Sequence, residues 1–252
     1  MPRSSEPAGR PAPCRRVRRI AAAAALVLCA AVQEASAAGF RLLELDGTFI
    51  KWGAPHFGTG ATVTYALLKE DRSDPGAINC KAMTALDGLL GRAGLDLAAF
   101  GERLKSALSM WHAAADITFV PAASAATADI VIGAEAVPRG IAYTNIQHEP
   151  VPGSRFAGLG QATICLNPMV AWRAGGTGDG KTTTYELLRV LAHEIGHAIG
   201  LDHPGRRGEL MAYAYQDSLD ALTEGDIAGI VTLYGVPASL SAALARSPIS
   251  RR

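Results

Sequence analysis

The segment His193-Glu194-Ile195-Gly196-His197-Ala198-Ile199-Gly200-Leu201-Asp202-His203 constrains this chain more than any other. His193 and His197 stand at i and i+4, so on a helix they share one face about one turn apart. Two neutral imidazoles placed in this way can grip one tetrahedral Zn²⁺ from the same side. Gly200 can adopt positive φ, end the helix and turn the chain back. That reversal lets His203 bring a third nitrogen from beyond the helix. Three protein ligands leave the fourth tetrahedral position open, which marks a catalytic rather than a structural zinc site. Glu194 lies beside the first ligand, in reach of a water in that position without being a ligand itself. It is the candidate general base and acid.

The N-terminus reads as an address rather than as fold. Arg15, Arg16, Arg18 and Arg19 form a basic leader, residues 21–32 an apolar run, and Ala35-Ser36-Ala37 a small-x-small cleavage site. A signal peptide over 1–37, cut after Ala37, is expected, and with it a secreted, periplasmic or extracellular protein. The remaining 215 or so residues, starting at Ala38, suffice for one well-cored domain. A net charge of +1 argues against nucleic acid as a partner. No later apolar stretch is long enough to span a bilayer, so no membrane partner is expected after signal cleavage. A monomer is expected. Two of the four cysteines fall in the signal, leaving Cys80 and Cys165. In an oxidising compartment such a pair is most simply a disulfide; two buried thiols, or a thiolate on zinc, are the alternatives.

Along the mature chain, residues 61–68 alternate apolar and polar and read as a strand. Further short strands are expected at 117–120, 129–132, 141–146 and 161–166. Leu97, Phe100, Leu104, Leu108 and Trp111 recur at spacings of three and four, the stripe of an amphipathic helix. Residues 71–94 read as a loop-rich stretch, and 171–181 as a Gly-rich loop. The helix carrying His193 is expected to start near Thr183, with Glu186 completing a capping box, and to run to about Leu201. A last helix begins at Thr223 with Asp226 as its capping partner. It carries Ile227, Ile230, Val231 and Tyr234 on one face and stops at Gly235. Residues 236–252 read as a short polar tail.

The three-histidine motif followed by Leu210-Met211-Ala212-Tyr213 resembles the metzincin clan of zinc endopeptidases. The short link of eight residues from His203 to Met211, and the closing stretch 222–235, resemble matrixins within that clan. So do Trp111, Ala128-Asp129-Ile130 and Trp172. The resemblance runs from about Trp52 to Gly235. It implies an α+β fold: a twisted, mostly parallel sheet with one antiparallel edge strand, a zinc-binding active-site helix, and a small C-terminal subdomain with a final helix. Residues 38–235 would then be one catalytic domain holding one catalytic Zn²⁺ on His193, His197 and His203. Glu194 would be the general base, and Met211 an apolar floor beneath the histidines. A protein or peptide substrate would lie extended along 141–146. A pocket beside His197, walled by residues near 213–222, would set specificity.

Some features depart from matrixins. His203-Pro204-Gly205 and Met211-x-Tyr213 look more like serralysins, in which that tyrosine can bind the metal or stabilise the oxyanion; the matrixin aromatic falls at Tyr215. Both are therefore candidates for an auxiliary role. Residues 136–140 and 142–145 offer no histidine or aspartate for a second, structural zinc, and no clear Ca²⁺ ligands. The Pro-Arg-Cys-Gly latency motif is absent. His56, His112 and His148 read as solvated. Two other functions remain open on the sequence: a catalytically silent binding module with this fold, and a zinc hydrolase of a non-peptide bond.

Overall fold

A computed structural model describes residues 39–176, 178, 183–205 and 207–237. The expected signal peptide, its cleavage site and most of the tail lie outside the described residues. In chain order the elements are β1 (Arg41–Leu42), β2 (Glu44–Leu45), β3 (Thr48–Phe49), β4 (Ala61–Leu67), β5 (Arg72–Ser73), β6 (Ala82–Thr84), α1 (Asp87–Ala93), α2 (Leu97–Ala114), β7 (Ile117–Pro121), β8 (Ile130–Glu135), β9 (Ala142–Pro150), β10 (Ala157–Leu166), β11 (Ala171–Arg173), β12 (Thr184–Glu186), α3 (Leu187–Ala198), β13 (Leu201–Asp202) and α4 (Glu224–Tyr234).

β7, β4, β8 and β10 pair in parallel in that order. β9 returns antiparallel to β10 and forms the edge. This is the mostly parallel sheet that the resemblance implied, with β9 as an antiparallel edge strand. β6 continues antiparallel along β8 where β4 leaves it, and pairs with β5. The loop-rich residues 71–94 also hold two short strands and α1. Strands of two and three residues carry no readable period, and their pairing is set by the neighbouring sheet.

One sheet face carries the helices. Ile130, Ile132, Ala162, Ile164 and Leu166 pack there against α2 and α3. α2 buries Phe100, Leu104, Ala107, Leu108 and Trp111. Leu97, placed on that stripe by spacing, is 58% exposed because it opens the helix beside its Asp96 cap. The opposite sheet face packs Val131 and Cys165 against Leu68, Cys80 and Met83. The structure joins Cys80 to Cys165, with their Cα atoms 5.7 Å apart. The bridge pins the 71–85 segment to the second face, where the apolar cluster is small.

α3 differs from its expected start. Thr184–Glu186 pairs in parallel with β11, and Glu186 itself is the N-cap, its side chain accepting from Arg189 N at 2.9 Å. The Thr183–Glu186 capping box is therefore a misreading: strand pairing overrode the local helix signal. The capping box at Thr223 and Asp226 is present. Asp226 also accepts from Leu210 N at 2.9 Å and Met211 N at 3.1 Å, tying the turn at Met211 to α4. α4 buries Ile230, Leu233 and Tyr234, while Ile227 is 40% exposed, so its inner face is rotated from the expected one.

Candidate metal centre and cleft

The end of α3 is built by long-range contacts to backbone groups that the helix leaves unpaired. Trp52 Nε1 donates to Ala198 O at 2.8 Å, and Tyr234 Oη donates to Ile199 O at 2.9 Å. Gly200 then reverses the chain at φ +105°. A Cβ there would lie 2.1 Å from Ile50 O, so both the dihedral and the space require glycine. β13 follows and pairs antiparallel with β1, with Arg41 Nε 3.0 Å from Asp202 Oδ2. That two-residue ribbon carries His203 back over the helix.

His193, His197 and His203 converge. Their Nε2 atoms are separated by 3.1, 3.1 and 3.2 Å. The Nδ1 of His193 lies 2.8 Å from Leu210 O, and that of His197 2.8 Å from Leu201 O. A carbonyl can only accept, so each Nδ1 carries the ring proton and each of these Nε2 atoms is a bare lone pair. Bare lone pairs facing each other at such distances repel unless a cation lies between them. A tetrahedral zinc at 2.0–2.1 Å from each nitrogen needs nitrogens about 3.3 Å apart, close to this triangle. The three side chains can hold one metal ion. Burial lowers the proton affinity of all three, most strongly at His197, where the neighbouring histidines add to it. Neutral imidazole is the ligand form.

Below the triangle, Met211 is buried. A Cβ on Gly196 would meet its Sδ at 2.3 Å and the Trp111 ring at 2.9 Å. The residue between the two helical histidines must therefore be small for Met211 to lie beneath them. Trp111 Nε1 donates to Ala192 O at 2.9 Å, fixing α2 on α3.

The triangle opens into a cleft of about 580 Å³, lined among others by Glu194, β9 and residues 209–216. Glu194 is buried, and burial pushes its carboxyl up to about 7 against the opposing effect of a hydrogen bond from Thr144. The Thr144 hydroxyl lies 2.7 Å from Glu194 Oε2.

Residues 92–235 match the family model described as Matrixin. The chain belongs to the matrixin family. It is similar to matrilysin of Mus musculus, 30% identical over 141 residues that cover 52% of this chain and 50% of that protein. Karilysin of Tannerella forsythia is 26% identical over 147 residues, covering 55% and 29%. Matrix metalloproteinase-20 of Homo sapiens is 33% identical over 141 residues, covering 52% and 27%. The match thus spans half of the matrilysin chain and under a third of the other two.

In this matrixin the two tyrosines after Met211 separate clearly. Tyr215 Oη is committed: it donates to Asp217 Oδ1 at 2.8 Å and accepts from Glu186 N at 2.8 Å. Tyr213 is 85% exposed, with its ring edge-on to His203 at 5.2 Å between centroids. The sequence reading missed Arg189. Its guanidinium stands at the cleft wall, bonded to Asp217 at 3.0 Å and also to Asp220 and Leu219 O. An arginine one turn ahead of His193 on a helix with a metal-facing side was the available signal. His148 is not solvated. It lies on β9 with a side chain 17% exposed, its Nε2 3.1 Å from Asp46 Oδ2. His56 and His112 are exposed, as expected, with His112 Nδ1 2.7 Å from Ile117 O.

Proposed function

We propose that this chain is a secreted zinc endopeptidase that hydrolyses peptide bonds with Glu194 as general base and acid. The observation that carries the reading is the triangle of imidazole nitrogens, two of them held as bare lone pairs, beside a buried carboxylate in an open cleft. His193, His197 and His203 would hold one zinc ion. A zinc ion there supplies Lewis acidity, lowering the pKa of a water in its open position toward about 7 and polarising a carbonyl.

Glu194 takes the proton from the attacking water at its carboxylate and passes it to the leaving amine. β9 lies at the sheet edge, so an extended peptide can add to it as a further strand, which favours peptides over other bonds. Tyr213, free beside His203, is the candidate donor to the oxyanion, whereas Tyr215 is held in the Glu186–Asp217 network and serves the cleft wall. Met211 is a floor and not a ligand. Residues 38–235 are the catalytic domain, 1–37 the signal peptide and 236–252 a tail. No helix among the described residues is long and apolar enough to cross a membrane. The acting form is proposed to be a monomer. No role is assigned to Ca²⁺.

Digestion of casein or gelatin by the zinc-loaded protein tests this reading. Cleavage is expected, with loss on chelation and return on adding zinc. Zinc retained without cleavage would instead favour the silent binding module, and cleavage confined to ester or glycosidic model substrates the non-peptide hydrolase. The mature protein is expected to begin at Ala38. Mass spectrometry of the secreted chain checks this, and a retained arginine-rich leader would contradict it.

A further inference from the structure

Inward-facing residues of β9 are Ala142, Thr144 and Ile146, on the side of Ile164 and the helices. Of these three Thr144 alone has a polar side chain; His148, further along β9, is paired with Asp46. Its hydroxyl lies 2.7 Å from Glu194 Oε2 and 3.0 Å from Glu194 O. A hydroxyl has one proton, and the carboxylate oxygen is both nearer and the stronger acceptor. Glu194 Oε1 makes no hydrogen bond to another described residue. The carboxylate is thus held by one oxygen and left open at the other.

We infer that Thr144 is a positioning residue for the proposed reaction: it fixes the rotamer of Glu194 and presents Oε1 as the proton-accepting atom. The inference rests on the protease reading and extends it. Thr144 stands on the edge strand to which substrate would add. Strand and base are therefore set relative to each other by one hydrogen bond, and the peptide carbonyl is placed by the same element that aims the base. β9 is itself anchored at the next residue, where Asn145 Oδ1 accepts from Ile78 N at 3.1 Å, in the segment leading to the Cys80 bridge.

Thr144→Val keeps the branched shape suited to a strand and removes only the donor. Thr144→Ser keeps the donor. For zinc-loaded protein acting on a peptide, the valine variant should lose between roughly tenfold and 10²-fold in kcat, the scale of a misplaced reacting group. KM should stay within about twofold, and zinc content should be unchanged, because the substrate strand and the ligands are untouched. The serine variant should recover most of kcat. An unchanged kcat in the valine variant, a rise in KM alone, or no recovery with serine would overturn the inference. If the wild-type protein cleaves no peptide, the protease reading fails. Thr144 is then decided by crystal structures of the zinc-loaded wild-type and Thr144→Val proteins. A Glu194 carboxylate bonded to Thr144 in the first and rotated away in the second supports the inference, and the same carboxylate position in both overturns it.

Discussion

Glu194→Ala should retain the zinc and the fold yet lose at least roughly 10²-fold in turnover, the usual scale for a general acid–base. The side chain is buried beside the histidine triangle but supplies none of its nitrogens. Removing it should therefore leave metal affinity intact. Nor should it cost much stability. A carboxyl pushed up to about 7 by burial is one that folding disfavours in its charged form, and alanine relieves that cost while leaving a small gap. Glu194→Gln keeps the shape without the base and should be nearly as slow. Steady-state rates and metal content on the same preparations check this. A variant that digests protein as fast as wild type would refute the role of Glu194, and one that loses its zinc would show the carboxylate to be part of the metal site.

Cys80→Ser paired with Cys165→Ser should lower stability by about 4 kcal/mol, from the chain entropy of a loop closed across 85 residues. The effect is expected to be large here for a local reason as well. Cys80 holds φ of +55°, a backbone conformation a non-glycine residue adopts at some cost, and the apolar cluster around it is small. Without the bridge the 71–85 segment is held by the short pairing of β6 with β8, the buried Met83 and the bond from Ile78 N to Asn145. Urea unfolding, with the shift in midpoint read at constant m, measures the difference. A change below about 1 kcal/mol would show that β5, β6 and Met83 already secure the segment. The same double variant should weaken the anchor on Asn145 and raise KM more than it lowers kcat.

The parts of this protein that were legible in its sequence are those encoded locally. His193, Glu194 and His197 share a helix turn, and Gly200 and His203 follow within a few residues, so their meeting depends on one helix and one reversal. Strands β4, β7, β8, β9 and β10 showed themselves by β-forming runs, though β9 and β10 continue several residues beyond the readable stretch. The last helix was marked by Thr223 and Asp226. A bridge from Cys80 to Cys165 was the simplest of the readings open for the two cysteines outside the expected signal peptide, and the structure joins them. What was illegible depends on partners far away in sequence. Glu186 looked like the third residue of a helix because the pairing of β12 with β11 leaves no mark in residues 183–186. Thr144 looked like an ordinary strand threonine, since its partner is 50 residues away. Tyr213 and Tyr215 could not be told apart until Glu186 and Asp217 were seen to claim one of them. His148 gave no sign of Asp46, 102 residues distant.

His193, His197 and His203 are proposed to hold a single zinc ion with one position left open. X-ray absorption at the zinc edge, on exhaustively dialysed protein of known metal content, tests it most directly. The expected result is one zinc per chain, with three nitrogen neighbours and one oxygen neighbour at about 2.0–2.1 Å, and loss of the metal in His197→Ala. Two tightly held zinc ions, a sulfur neighbour at about 2.3 Å, or zinc retained in His197→Ala would contradict it.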